Sequence, residues 1–202
     1  MESMREKIIE IASEQFSQFG VRAITMEDIA RLAGISKKTI YQEFKDKKQL
    51  VNDAFTMVLQ ENQCVLNKVM SGEDGVIEHL VYTSKILRER FSTLNPMVLH
   101  EIQKYFPEVW EMFNEFKEKV ILTDIVNVIE KGKTLGYFRP EINSRILATM
   151  RVDQISASLM KQNATNKEFS LLTLHVEMLD HFLHGIFTEK GRQAYLLKQQ
   201  VN

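Results

Sequence analysis

Residues 25–48 read TMEDIARLAGISKKTIYQEFKDKK, and their spacing of apolar and polar positions sets the fold class. Ile29, Ala30 and Leu32 point inward from a short helix over about 26–33, and Ile40 and Phe44, four apart, do the same from a second over about 37–44. Each helix carries its own start signal: Thr25 and Asp28 form a capping-box variant, and Ser36 stands at the N-cap of the second. Gly34 supplies the left-handed residue between them at the least steric cost. Two short helices therefore meet across a tight turn, with Lys37, Lys38, Tyr41 and Gln42 facing out.

Upstream, Ile8, Ala12, Phe16 and Phe19 line one face of a helix over 3–19 that stops at Gly20. Downstream, Asp46 with Gln49 caps a long helix running through Leu50, Ala54, Phe55, Val58 and Leu59 to about Met70. The spacing stays helical over about 74–93, 97–105, 107–132 ending at Gly132, 143–163 and 167–188. The β-branched run Val120–Ile129 continues the helical pattern begun at Pro107, with Asp124 and Asn127 opposite. The sequence predicts an all-α chain of about nine helices, a small unit over 1–47 and a larger helical body over 48–202. The tail 189–202, with Tyr195, Leu196 and Leu197, is left unassigned.

Composition agrees. In 202 residues there are only three Pro and eight Gly beside 44% hydrophobic residues, too little punctuation for a many-turned sandwich or barrel. A single cysteine, Cys64, excludes an internal disulfide, a CxxC pair and a multi-cysteine zinc site; it is expected to be buried or semi-buried on its helix. No window approaches the roughly 18 apolar residues of a membrane span. A cytoplasmic protein with no membrane partner is expected.

The net charge of −1 says nothing for a polyanionic partner, but its distribution does. Between residues 35 and 48, Lys37, Lys38, Lys45, Lys47 and Lys48 face only Glu43 and Asp46. A helix-turn-helix places its second helix in a major groove about 12 Å wide. Thr25, Ser36, Tyr41 and Lys47 put hydroxyls and an ammonium near helix N-termini, where phosphates are held. Lys37, Lys38 and Gln42 lie where base edges would be, and glutamine can bind adenine bidentately. Helix-turn-helix geometry also occurs in proteins that bind no DNA, so a helical ligand-binding or interaction protein is the alternative reading.

Thr25-Met-Glu-Asp-Ile-Ala30, Ala33-Gly-Ile-Ser-Lys37, Thr39-Ile-Tyr41, Phe44-Lys-Asp-Lys47 and Leu50, preceded by Ile8, Ala12, Phe16 and Gly20, resemble the DNA-binding domain of TetR-family repressors. The resemblance covers roughly residues 5–51. It implies an all-helical homodimer on a palindromic double-stranded operator, with a C-terminal body that binds a small-molecule inducer and dimerises through its last two helices. By the same resemblance Thr25, Ser36, Thr39, Tyr41 and Lys47 would be phosphate contacts, with Lys37, Lys38 and Gln42 nearer the bases. Position 38 is often glycine in that family and position 42 often aromatic or His, so Lys38 and Gln42 depart from its pattern.

The larger body is rich in aromatic and thioether side chains, most of them core, and an apolar ligand cavity with a few polar groups is expected among them. Tyr82, His100, Gln103, Tyr105 and Trp110 are the candidate lining residues. Leu171, Leu172, Leu174, Val176, Met178, Leu179, Phe182, Leu183 and Ile186 cover more of a helix than one stripe needs, which predicts burial against both the chain itself and a second copy, with Ile146, Met150, Ile155 and Leu159 alongside. His175, His181 and His184 are poorly spaced for joint ligation on one helix, and no catalytic motif or Gly-rich phosphate loop is present. No metal, no cofactor and no enzymatic activity are expected.

Overall fold

Caps written into the sequence start the first four helices of the computed structural model, which describes residues 3–71, 75–161 and 169–201, with side chains except at 65–71, 87, 90, 91, 159–161, 200 and 201. Ser3 with Glu6 and Thr25 with Asp28 form reciprocal capping boxes ahead of α1 (Met4–Phe19) and α2 (Met26–Ala33). Ser36 accepts from the Thr39 backbone N–H to start α3 (Lys37–Glu43). Gln49 N donates to Asp46 Oδ1 at 2.8 Å, and Lys45 N donates to Gln49 Oε1 at 2.8 Å, at the head of α4 (Lys47–Ser71).

The remaining helices are α5 (Val76–Thr93), α6 (Met97–Tyr105), α7 (Pro107–Phe116), α8 (Leu122–Thr134), α9 (Ser144–Lys161), α10 (Leu171–Ile186) and α11 (Glu189–Val201). A π-helical turn, Lys117–Ile121, joins α7 to α8 without a break, so the described residues form ten continuous helical rods where the spacing predicts about nine. Among the described residues there is no strand, only one isolated antiparallel bridge, Phe138–Phe187. No helix among them is long and apolar enough to cross a membrane. The predicted helix ends at 162–163 and 167 fall outside the described residues, as do the side chains of Phe91 and Leu159.

Two compact units divide the chain. The first comprises residues 1–62 and 93–114. Ile8, Ala12 and Phe16 of α1, Ile29 and Ala30 of α2, Ile40 of α3, Phe44, and Leu50 and Ala54 of α4 form one buried core, which Val98, Ile102 and Val109 also enter. Two inward expectations fail. Leu32 is 52% exposed, because the buried arc of α2 is centred on Met26, Ile29, Ala30 and Ala33 and Leu32 falls outside it. Phe19 is exposed because it ends α1, and the chain turns inward only after it, at the buried Gly20 and Val21. Arg5 adds a tie that sequence spacing did not show: its guanidinium lies 4.3 Å from the Phe44 ring centroid, donates to the Glu43 carbonyl and pairs with Asp53.

The second unit comprises residues 63–92 and 115–202. Its core gathers Ile77 of α5, Val128 and Ile129 of α8, Phe138, Leu183 and Ile186 of α10, Phe187 and Tyr195. Gly132 does not end its helix, which continues to Thr134; a Cβ there would lie 2.2 Å from the Phe138 ring, and its absence lets that ring pack against the helix. The unassigned tail becomes α11 for a similar reason. Gly191 admits the Tyr137 carbonyl where a Cβ would stand 2.1 Å away, and the Tyr195 ring comes 5.4 Å from Phe187. Leu196 and Leu197 stay exposed, so one apolar residue of the three anchors the helix. Cys64 is exposed, against expectation, because it lies on a stretch of α4 where Gln60, Glu61 and Gln63 are exposed as well.

Helices α9 and α10 run antiparallel in this unit, with Ser158 Oγ 3.1 Å from His175 Nε2 and the Arg151 guanidinium 5.9 Å from the Phe182 ring centroid. Burial, and then the Arg151 charge, push the His175 imidazole down to about 4 from 6.5.

Two stability outcomes are expected. Gly132→Ala, although a better helix former, should lower the unfolding free energy in urea by about 2 kcal/mol through overpacking against the fully buried Phe138. His175 binds its proton more readily unfolded than folded, so its contribution is complete above pH 6.5 and is lost as pH falls toward 4. Up to about 3 kcal/mol of pH-dependent stability in that window should disappear in His175→Asn, as measured by denaturation at a series of pH values.

Candidate nucleic-acid interface

Helix α3 has two distinct sides. Ile40 is wholly buried, and Phe44, its C-cap, is too; Lys38, Tyr41 and Gln42, which share the opposite face at i, i+3 and i+4, are exposed, with Tyr41 at 47%. Ser36 and Lys37 are exposed as well and Thr39 is half-buried. The side predicted to face a duplex is thus free of the protein's own interior.

The hydroxyls are pre-arranged by their capping roles. Ser36 Oγ accepts from Thr39 N at 3.1 Å and shares a hydrogen bond with Thr39 Oγ1 at 2.8 Å. Two hydroxyl protons serve that pair and one suffices for the mutual bond, which leaves the other for an outside acceptor. Thr25 is more fully engaged: its Oγ1 donates to Asp28 Oδ2 at 2.7 Å and accepts from Asp28 N at 3.1 Å. The Thr25 hydroxyl and then the Thr25 backbone N–H, which donates to Oδ2 at 3.0 Å, hold the Asp28 carboxyl below the usual carboxylate range, so the head of α2 carries a negative charge beside it.

The lysines differ in how they are held. Lys37 pairs with Glu27 at 3.3 Å and Lys48 with Glu108 at 2.8 Å, both on exposed side chains where an ion pair is worth little and can be exchanged for another anion. Among the described residues neither Lys38 nor Lys45 forms an ion pair, and both are exposed. Lys47 is half-buried, its Nζ 6.0 Å from the Phe16 ring centroid and 3.5 Å from the Arg22 carbonyl. Burial pulls this ammonium below the ordinary lysine range, the Glu101 carboxylate opposes that shift and the Arg22 guanidinium adds to it.

Arg22 is a basic residue that motif spacing did not single out. Its backbone N–H donates to Glu101 Oε2 at 3.0 Å, and its guanidinium lies 4.8 Å from the Tyr105 ring centroid and donates to Tyr105 Oη at 3.2 Å. The signal was there only in the far partners, Glu101 and Tyr105, about eighty residues away. Asn95 N donates to the Ser17 carbonyl at 2.8 Å, so α6 is stitched to the end of α1 by backbone and side chain alike.

The five candidate ligand-lining residues fall in both units. Tyr82 belongs to the second and is exposed; His100, Gln103, Tyr105 and Trp110 belong to the first. Tyr105 is occupied by Arg22, Trp110 packs against the first core with its ring 5.6 Å from that of Phe113, and Gln103 faces outward. Among the described residues no three His, Cys, Asp or Glu side chains are grouped as metal ligands would be, and His181 and His184 are exposed.

Comparison with known proteins bears on the same segment. Residues 8–54 match the model of the bacterial regulatory proteins of the tetR family. The chain is 30% identical over 145 residues to the HTH-type transcriptional regulator YhgD of Bacillus subtilis, covering 67% of this chain and 72% of that one. It is 23% identical over 146 residues to the HTH-type transcriptional repressor KstR2 of Mycolicibacterium smegmatis, 70% of either chain. A TetR-family regulator from Agrobacterium tumefaciens superposes with a TM-score of 0.72 at 15% identity, over 92% of this chain and 98% of that one. Since the likeness to YhgD runs well beyond the helix-turn-helix and that motif keeps its outward face open, the chain belongs to the TetR family of bacterial DNA-binding transcriptional regulators.

Proposed function

We propose that the protein represses transcription as a homodimer on a palindromic operator and leaves it when a small apolar ligand binds. Residues 1–47 carry the DNA contacts in this reading, and 48–202 carry ligand binding and dimerisation. The observation that carries it is the division of α3, with Ile40 and Phe44 locked in the core while Lys38, Tyr41 and Gln42 stand free. Lys37, Lys38 and Gln42 face base edges, and Thr25, Ser36, Thr39, Tyr41 and Lys47 hold phosphates. Half-buried Lys47 is suited to that task, because a partly desolvated ammonium gains more from a phosphate than a fully hydrated one does.

Dimerisation is supported by apolar surface that one chain leaves uncovered. Leu172, Leu174, Val176, Met178, Leu179 and Phe182 of α10 are only partly buried, and Ile146 and Met150 of α9 are exposed. A second copy related by a two-fold axis covers this surface and sets two recognition helices about 34–36 Å apart, or a near multiple, on successive major grooves. Ligand occupancy then has only to change that separation. The segment between Pro96 and Pro107 serves as the relay, a role supported by the bonds from Asn95 to Ser17 and from Arg22 to Glu101.

Binding titrations on an operator selected from genomic fragments test the contacts. Lys47→Ala should weaken all operator variants alike and reduce the salt slope by about one, whereas Gln42→Ala should cost about 1–3 kcal/mol at a single base pair. Equal weakening of every base variant by Gln42→Ala rejects its role in base reading. Sedimentation at micromolar concentration should give a dimer mass; a monomer mass rejects the assembly.

A further inference from the structure

Arg151 is a buried base that neither the core nor the DNA contacts employ. It lies on the inner side of α9, 3% exposed, and neither Nη1 nor Nη2 has a hydrogen-bond partner among the described residues. Burial draws its guanidinium down to about 10, and no carboxylate among the described residues offsets it. The Phe182 ring at 5.9 Å is a weak substitute for an anion. His175, which feels the Arg151 charge, is another base, and it answers by staying neutral.

The surroundings extend this imbalance along one seam. Gln154, a turn beyond Arg151, has a buried Oε1 with no donor. Ser158, a turn further, donates to the Ile155 carbonyl at 2.8 Å and stands 3.1 Å from His175 Nε2. Beside this polar row Ala148 and Val152 of α9 are buried among apolar side chains. An isolated buried guanidinium is costly, whereas one gripped bidentately by a carboxylate is well satisfied. Among the described residues no carboxylate pairs with the fork, which stands ready for one supplied from outside.

We propose that Arg151 anchors the acidic head group of the regulating ligand, a small organic acid with an apolar body, whose carboxylate takes Nη1 and Nη2 together. This rests on the reading that a ligand releases the operator, and it adds the ligand's charge. The apolar body follows from the Phe182 ring beside the guanidinium and from the apolar cluster that Ala148 and Val152 of the same helix form with Leu122. The Gln154 amide, rotated, offers the carboxylate an N–H. Both Nη atoms are closed to solvent, so entry of the head group parts α9 from α10. Those two helices carry Ile146, Met150 and the partly buried stripe of α10, so occupancy acts on the surface proposed for dimerisation.

The test titrates decanoate, decanol and decyltrimethylammonium, one chain length with three head groups, into the full-length wild type, Arg151→Met and Arg151→Lys, by calorimetry and by anisotropy of operator DNA. Decanoate should bind the wild type at least about tenfold more tightly than decanol. The preference should vanish in Arg151→Met and be reduced in Arg151→Lys, which keeps the charge and loses the planar fork. Without ligand, Arg151→Met should melt above the wild type, since an apolar side chain replaces an unpaired buried charge. Equal binding of the three probes, binding of none, preference for the cation, or an Arg151→Met variant that keeps the preference, melts lower or fails to fold overturns the proposal. Decanoate bound through Arg151 without loss of operator leaves the acid site standing and rejects ligand-controlled release. Operator release by decanol as readily as by decanoate does the reverse.

Discussion

Helix α3 is seven residues long, too short to hold itself in water, and its position comes from what it buries. Ile40 and Phe44 are fully sequestered among side chains of α1, α2 and α4, and Arg5 closes the arrangement by covering the Phe44 ring and binding the Glu43 carbonyl. Everything outward follows from that anchoring. With two positions four apart turned inward, the intervening and flanking Lys38, Tyr41 and Gln42 have no choice but to face solvent. The outward face of α3 is thus held in place by a reverse side that is core.

Electrostatics completes the surface without fixing it. Acidic partners sit beside several of its lysines, yet the Lys37–Glu27 and Lys48–Glu108 pairs are exposed and cheap to break. Lys47 differs, being partly desolvated and set between the Glu101 and Arg22 charges. The same Glu101 receives the Arg22 amide, so α6 sets the electrostatic environment at the head of α4. A charge count over residues 35–48 sees five lysines; the folded protein distinguishes three ways of holding them.

The second unit shows how absence of a side chain and absence of a partner differ in meaning. Gly132 and Gly191 lack Cβ atoms so that Phe138 and the Tyr137 carbonyl can approach, and those gaps are filled. The polar gap along α9, at Arg151 and Gln154, is not filled by any described group. The first kind serves packing, and the second marks a place where the described residues leave a charge unmatched.

Local chemistry was legible in the residues by themselves. Caps at Thr25, Ser36 and Asp46, the left-handed Gly34 and the four-residue apolar repeats depend on neighbours a turn away, so the helices, their starts and the all-α class could be read directly. Tertiary packing decided the rest. Leu32 and Phe19 satisfied a helical period and were left outside because burial depends on where partner helices end, and Gly132 looked like a terminator until Phe138 came to lie on it. The tail became α11 through Tyr195 packing on Phe187, and Arg22 met Glu101 and Tyr105 across some eighty residues. Such pairings carry no periodicity, since the chain brings them together only after its helices have packed.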